Sequence, residues 1–270
     1  MAAILSYGFM QRALLVGLLI SAVCAMLGVF LILRRDAMIG LGLSHLTFGG
    51  VALGLFLNIW PIGTALVVAI ISSVGILKLR EKAGVYEDTA IGIFSSIGMA
   101  SGIVLISMAK SFNVSLMSYL FGNILAISPF EVWVSLALTI IVLLIIILFY
   151  QDLLFITFDS ESARSSGLKV SQLEMILSML TAVTVVLGMR VVGLLLVSAL
   201  LVIPSAAGLQ LARNFRQAIV LGVLIALFSV SLGLLTAFYW DLPASGAIIL
   251  FASLFFVSAL AIRVVKARFA

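Results

Sequence analysis

The sequence holds one histidine, His45, inside the stretch Gly40-Leu-Gly-Leu-Ser-His45-Leu-Thr-Phe-Gly49-Gly50. An imidazole can carry a proton, take part in a hydrogen bond or ligate zinc, manganese or iron. Its surroundings are apolar: from Ala37 to Leu77 there is no Asp, Glu, Lys or Arg. An ionisable group at such depth is costly unless it faces a cavity, a partner or a passing ligand. Two readings stand side by side. His45 either binds a ligand or lines a pathway, or it hydrogen-bonds a neighbouring helix and does nothing else. Ser44 and Thr47 place hydroxyls beside it, and the flanking glycines permit close backbone approach.

Two further stretches carry chemical potential. Ser198-Ala-Leu-Leu-Val-Ile-Pro204-Ser205-Ala-Ala-Gly208 puts a proline inside an apolar run, where it frees a carbonyl. Broken helices recur at transport sites, which makes Ser198, Pro204 and Ser205 candidates for lining a path; a plain structural kink is the alternative. Phe158-Asp159-Ser-Glu161-Ser-Ala163-Arg164-Ser-Ser-Gly167-Leu-Lys169 is a hydrophilic island. Asp159 or Ser160 can cap a short helix running to Ser166, and Gly167 can stop it. That helix is either a solvated connection or a docking element for a soluble partner. No catalytic set stands out. Ser44 and His45 are adjacent, so a helix does not turn them toward each other, and no phosphate-binding glycine loop is present. Cys24 is a lone cysteine in an apolar run, with neither a disulfide partner nor a metal motif.

These residues need elements to hold them. The 270-residue chain is 64% hydrophobic and 9% charged, against about 25% charged in soluble proteins. Lipid must therefore solvate much of its surface, and an all-α polytopic membrane protein follows. The net charge of +5 does not signal nucleic acid, because the basic residues sit in short loops between apolar runs. Eight to nine spans are expected: Ala13–Leu33, Ala37–Leu57, Ile59–Leu77, Thr89–Ala109, Phe130–Tyr150, Ser171–Met189, Val191–Ala212 interrupted by Pro204, Gln217–Trp240 and Ala244–Ile262. The first is too long for a signal-peptide core and reads as a retained helix. Asn58-Ile-Trp-Pro61 divides the second span from the third. Lys78–Asp88 and Lys110–Ser128 read as loops, the latter with a short helix around Tyr119–Ile127. Met1–Gln11 reads as interfacial, and Phe130–Tyr150 as facing lipid. The small residues of Gly98-Met-Ala-Ser-Gly102 read as a packing face. The whole of 1–270 forms one transmembrane domain, with 151–170 as its hydrophilic excursion.

Placing 151–170 in the cytoplasm puts twelve Lys and Arg on that side against three on the other (Arg12, Lys110, Arg190). The positive-inside rule then sets the N-terminus outside and the C-terminus in the cytoplasm.

At this point the residues resemble a known family: the membrane permeases of ATP-binding-cassette importers for zinc, manganese or iron(II). The likeness covers nearly the whole chain. It rests on Arg34-Arg35, on Gly40-Leu-Gly-Leu-Ser-His45 and on Gly50-Val-Ala-Leu-Gly54. It continues through Phe158-Asp159, Ala163 and Gly167-Leu168, then Val192–Ala207 around Pro204 and Asp241-Leu-Pro243-Ala-Ser-Gly246. It implies a homodimer, two cytoplasmic ATPase subunits, an extracytoplasmic metal-binding protein and no permanently bound cofactor. It implies no ATPase activity in this chain. His45 matches the family's intramembrane metal-binding histidine. Asp159, Glu161, Ala163, Arg164 and Gly167 match the segment that couples to the ATPase.

One position departs from the pattern. The family usually carries an aspartate four residues before the histidine, where this chain has Leu41. Residues four apart share a helix face, so an Asp and a His there would grip one ion together. With Leu41 there are two readings: the ion is held by His45 with hydroxyls, carbonyls or a second subunit's copy of the histidine, or transport is impaired. Loss of the oxygen ligand favours zinc over manganese as cargo. A manganese or iron(II) permease of the same type is the alternative. A self-sufficient secondary carrier would be expected to use intramembrane carboxylates, and an intramembrane enzyme would need a second acid or base at depth.

Overall fold

A computed structural model describes residues 8–108, 122 and 127–269. The expected helix around Tyr119–Ile127 falls largely outside the described residues, as do Met1–Tyr7 and Lys110. The described chain consists of α1 (Gly8–Leu33), α2 (Ile39–Phe56), α3 (Pro61–Ala83), α4 (Glu87–Met108), α5 (Pro129–Leu148), α6 (Tyr150–Phe158), α7 (Ser160–Ser165), α8 (Val170–Val192), α9 (Leu194–Leu211), α10 (Phe215–Trp240) and α11 (Ala244–Phe269). Among the described residues, nine helices are long and apolar enough to cross a membrane, and only α6 and α7 are not.

Local chemistry sets the ends. Ser128 and Glu131 form a reciprocal capping box at the start of α5, with Pro129 in the first turn, where its missing N–H costs nothing. The Asn214 side chain accepts from the backbone N–H of Gln217 and opens α10. Between α8 and α9 the turn is a single residue, Gly193 (φ 89, ψ 152). That backbone region is open almost only to glycine.

Helices α1, α9, α10 and α11 pack as one group, and α2 packs between α3 and α4 as another. Helix α8 touches α1, α2, α3 and α9 and so bridges the two. Connections alternate between two ends of the bundle. Arg34 after α1, Arg80 late in α3 and Glu174 early in α8 meet at one end. Gln210 of α9 and Arg263 of α11 meet through a hydrogen bond on helix turns that run to the same end. We call this the basic end. Trp60, Trp133 and Trp240, all exposed, mark the opposite end as an aromatic belt would.

Several boundaries differ from the sequence expectation, each for a physical reason. Helix α3 continues through Lys78, Arg80 and Lys82 to Ala83, because a helix leaving lipid need not stop there. Helix α1 begins at Gly8, inside the stretch expected to be interfacial. Val191 and Val192 close α8 instead of opening α9. Helix α9 runs unbroken through Pro204, which is itself buried. Next to it, Ser205 Oγ donates to the Ala25 carbonyl of α1 at 2.9 Å and ties this turn of α9 to its neighbour. Helix α5 is only partly surface. It exposes Ile140, Leu144 and Ile147 and buries Ser135, Leu138 and Val142. The hydrophilic excursion begins with a true helix, α6, whose Leu153 and Ile156 are buried.

Candidate functional site

The site begins with how closely α2 and α4 approach. Ile91, Ser95, Gly98 and Gly102 recur at helical spacing along one face of α4 and meet Gly42, His45, Leu46 and Gly49 of α2. A Cβ added to Gly49 would lie 2.6 Å from the Gly98 carbonyl, and one added to Gly98 would lie 2.7 Å from Leu46 Cα. Only glycine permits this backbone contact. The expected packing face of Gly98 and Gly102 is therefore the surface that seats α4 against the histidine helix.

That proximity gives His45 a partner that the sequence reading missed. His45 Nδ1 and Ser95 Oγ lie 2.7 Å apart, hydrogen-bonded across the two helices. His45 is half-buried, and so is Leu41 one turn earlier on the same face. Met38 continues that open stripe to the end of the helix at 49% exposed. With Nδ1 engaged by Ser95, Nε2 is the ring nitrogen left for other chemistry. Ser95 shares its face with Gly98 and Gly102, and that periodicity was the signal by which it could have been found.

The other hydroxyl candidates are placed differently. Ser44 and Thr47 are fully buried and donate to the Gly40 and Leu43 carbonyls of their own helix, at 2.8 and 2.6 Å. They sit on the packed side of α2, away from the open stripe, because helical positions one and two apart from His45 point elsewhere. Ser205 is turned toward α1, and Ser198 donates to the Leu195 carbonyl of its own helix. Neither stands with His45. Among the described residues no three of His, Cys, Asp and Glu converge as a metal cluster.

The basic end holds two connected constructions. In the first, the Asp159 side chain accepts from the Ser162 N–H at 2.9 Å and caps α7, and Gly167 follows the helix with φ 89. Bonds from Ser162, its hydroxyl first and its N–H second, hold the Asp159 carboxyl below the usual carboxylate range. Ala163 is buried beneath the segment, while Glu161, Arg164 and Gly167 are exposed. Just before α7, Phe158 and Tyr150 of α6 ring Phe215 of α10, and Phe215 meets Phe30 of α1 edge-on at 5.0 Å.

The second construction is a four-residue charge cluster. Arg34 Nη2 lies 2.5 Å from Glu174 Oε1, and its Nε lies 3.3 Å from Asp36 Oδ2. Arg80 reaches Asp36 at 3.4 Å and Glu174 at 3.5 Å. Burial pushes the Asp36 carboxyl up; Arg34 and Arg80 oppose the shift and Glu174 adds to it. Spacings of 44, 94 and 140 residues hid this cluster from the sequence.

The fold and the site meet known proteins at this point. A model of the ABC 3 transport family matches residues 6–263. The chain is 34% identical over 256 residues to the manganese transport system membrane protein MntC of Halalkalibacterium halodurans, covering 95% of this chain and 88% of that one. It is 33% identical over 249 residues to the high-affinity zinc uptake system membrane protein ZnuB of Haemophilus influenzae, covering 92% and 95%. Among solved structures, PsaBC from Streptococcus pneumoniae in complex with Fab matches with a TM-score of 0.82 at 31% identity, over 96% of this chain and 93% of that one. The chain belongs to the ABC 3 transport family, the membrane permeases of metal importers of the zinc, manganese and iron type.

Proposed function

We propose that this chain is the permease of an ATP-driven importer that carries a divalent metal ion, zinc by preference, past His45 into the cytoplasm. The observation that carries the reading is the half-buried imidazole with its Nδ1 held by Ser95. When Nδ1 carries the proton and donates to the serine oxygen, Nε2 presents its lone pair to the open stripe of α2. Metal-ligating histidines are commonly oriented in this way through their second nitrogen. With Leu41 where a carboxylate would stand, nitrogen dominates what the site offers, and this suits zinc better than manganese. MntC, which is named for manganese, supplies the second reading of the cargo.

The rest of the reading follows family logic. The permease works as a homodimer in the bacterial cell membrane, with the basic end and the C-terminus in the cytoplasm. Two separate ATPase subunits dock on α7 and its flanks, Asp159, Glu161, Ala163, Arg164 and Gly167. An extracytoplasmic binding protein delivers the ion at the aromatic end. The half-exposed Ser198, one of the candidates on α9, lies outside the first ligand set, which is His45 alone in each chain.

The test is uptake by the reconstituted complex with zinc, manganese and iron(II) compared. His45→Ala is expected to lower uptake at limiting metal while leaving assembly with the ATPase intact. Undiminished uptake by that variant would remove His45 from the path, and a preference for manganese would overturn the cargo assignment.

A further inference from the structure

We infer that Arg34, Asp36, Arg80 and Glu174 form the linkage through which movement of the ATPase-docking segment reaches the His45 helix. The inference rests on the transport reading above and adds the route inside the chain. Glu174 lies in the second turn of α8, the helix that begins directly after α7 and Gly167. Its two carboxylate oxygens hold Arg34 at 2.5 Å and Arg80 at 3.5 Å. Both arginines also hold Asp36. The backbone of Asp36 is the entry to α2: its carbonyl accepts the Ile39 N–H at 3.0 Å, and its own N–H donates to Leu31 at the end of α1 at 2.8 Å. A displacement of α8 at Glu174 therefore acts on the first turn of the helix that carries His45.

Three features distinguish this cluster from a surface ion pair. The Arg34, Asp36 and Glu174 side chains are no more than 10% exposed, so water screens their attraction little. Arg35, between Arg34 and Asp36, takes a left-handed backbone (φ 67), a conformation unusual for a residue with a side chain. The turn is held there by what surrounds it. Arg34 Nη1 is buried with no hydrogen-bond partner among the described residues. A guanidinium fork with one prong unsatisfied is poised to exchange partners when the helices around it shift.

The test is the number of metal ions imported per ATP hydrolysed by the reconstituted complex of permease and ATPase subunits. Glu174→Gln keeps the shape and removes the charge. It is expected to assemble and hydrolyse ATP while importing roughly fivefold less metal per ATP than the wild type, the lower range of an allosteric coupling. Arg80→Gln, on the more exposed arginine, gives the same direction with a smaller loss and decides the matter should Glu174→Gln fail to assemble. A purely structural role would reduce assembled complex without changing the ratio, and that result overturns the linkage. Wild-type import with an unchanged ratio in both variants sinks the linkage alone. A wild-type complex that imports none of the three metals sinks the transport reading and the linkage with it.

Discussion

Ser95 Oγ stands 2.7 Å from His45 Nδ1, so the single histidine of the chain is oriented by a neighbouring helix. Replacing Ser95 with Ala leaves a ring nitrogen facing a gap and frees the ring to turn. Loss of such an outer partner typically costs about 10–100-fold in metal affinity. The expected outcome is a rise of that order in the metal concentration giving half-maximal uptake, with expression unchanged. Ser95→Thr keeps the hydroxyl and is expected to stay much closer to wild type.

Leu41 shares the open face with His45, one turn away. Leu41→Asp would set a carboxylate beside the imidazole and add an oxygen ligand suited to manganese. The expected result is a shift in the manganese-to-zinc uptake ratio toward manganese on the order of tenfold, ~1.4 kcal/mol. Competition uptake with both ions present measures it directly.

The α2–α4 contact depends on missing side chains. Gly49→Ala and Gly98→Ala each force a Cβ into backbone at 2.6 to 2.7 Å. Overpacking of this kind costs about 1–3 kcal/mol and would pull Ser95 away from His45. Both variants are expected to unfold at lower temperature in detergent and to lose uptake together. Gly92→Ala on the same helix is the control, since nothing lies within 4 Å of its added Cβ.

Asp159 makes a prediction about pH. Its folded carboxyl titrates below the usual range, so the unfolded segment takes up the proton first as pH falls. The cap therefore contributes fully above the unfolded value of about 4. It is lost as pH drops through the lower folded value. Coupling of ATP hydrolysis to transport should show no Asp159-dependent change between about pH 5 and 8. Asp159→Ala is expected to weaken coupling across that range, and Asp159→Asn, which also caps, to retain it.

Much of the architecture was readable from apolar run lengths, because lipid permits few alternatives to a spanning helix. The helix at Ser160–Ser165 was readable because Asp159 and Gly167 mark its ends by local chemistry. What was not readable depends on distance or on neighbours. Ser95 meets His45 across 50 residues of sequence. The charge cluster draws on α1, α3 and α8 at once, and none of its members is unusual beside its own chain neighbours. Pro204 does not interrupt α9, whose neighbouring residue Ser205 donates to α1, so the helix at the proline is held by packing that an isolated helix lacks. Lys78, Arg80 and Lys82 mark the end of the apolar span and not of the helix, which runs on to Ala83.

The one-residue turn at Gly193 has a mechanical consequence. Helix α8 has 23 residues, an arm of roughly 35 Å at about 1.5 Å each. It is joined to α9 at the aromatic end by Gly193 alone, a residue without a side chain. Glu174 sits near the far tip of that arm. A shift of about 1 Å at the tip corresponds to a tilt of about 2 degrees at the joint, a change that a single pair of backbone torsions can absorb. Gly193 is in this sense a fulcrum: a small turn of its backbone moves the basic end of α8 relative to α9.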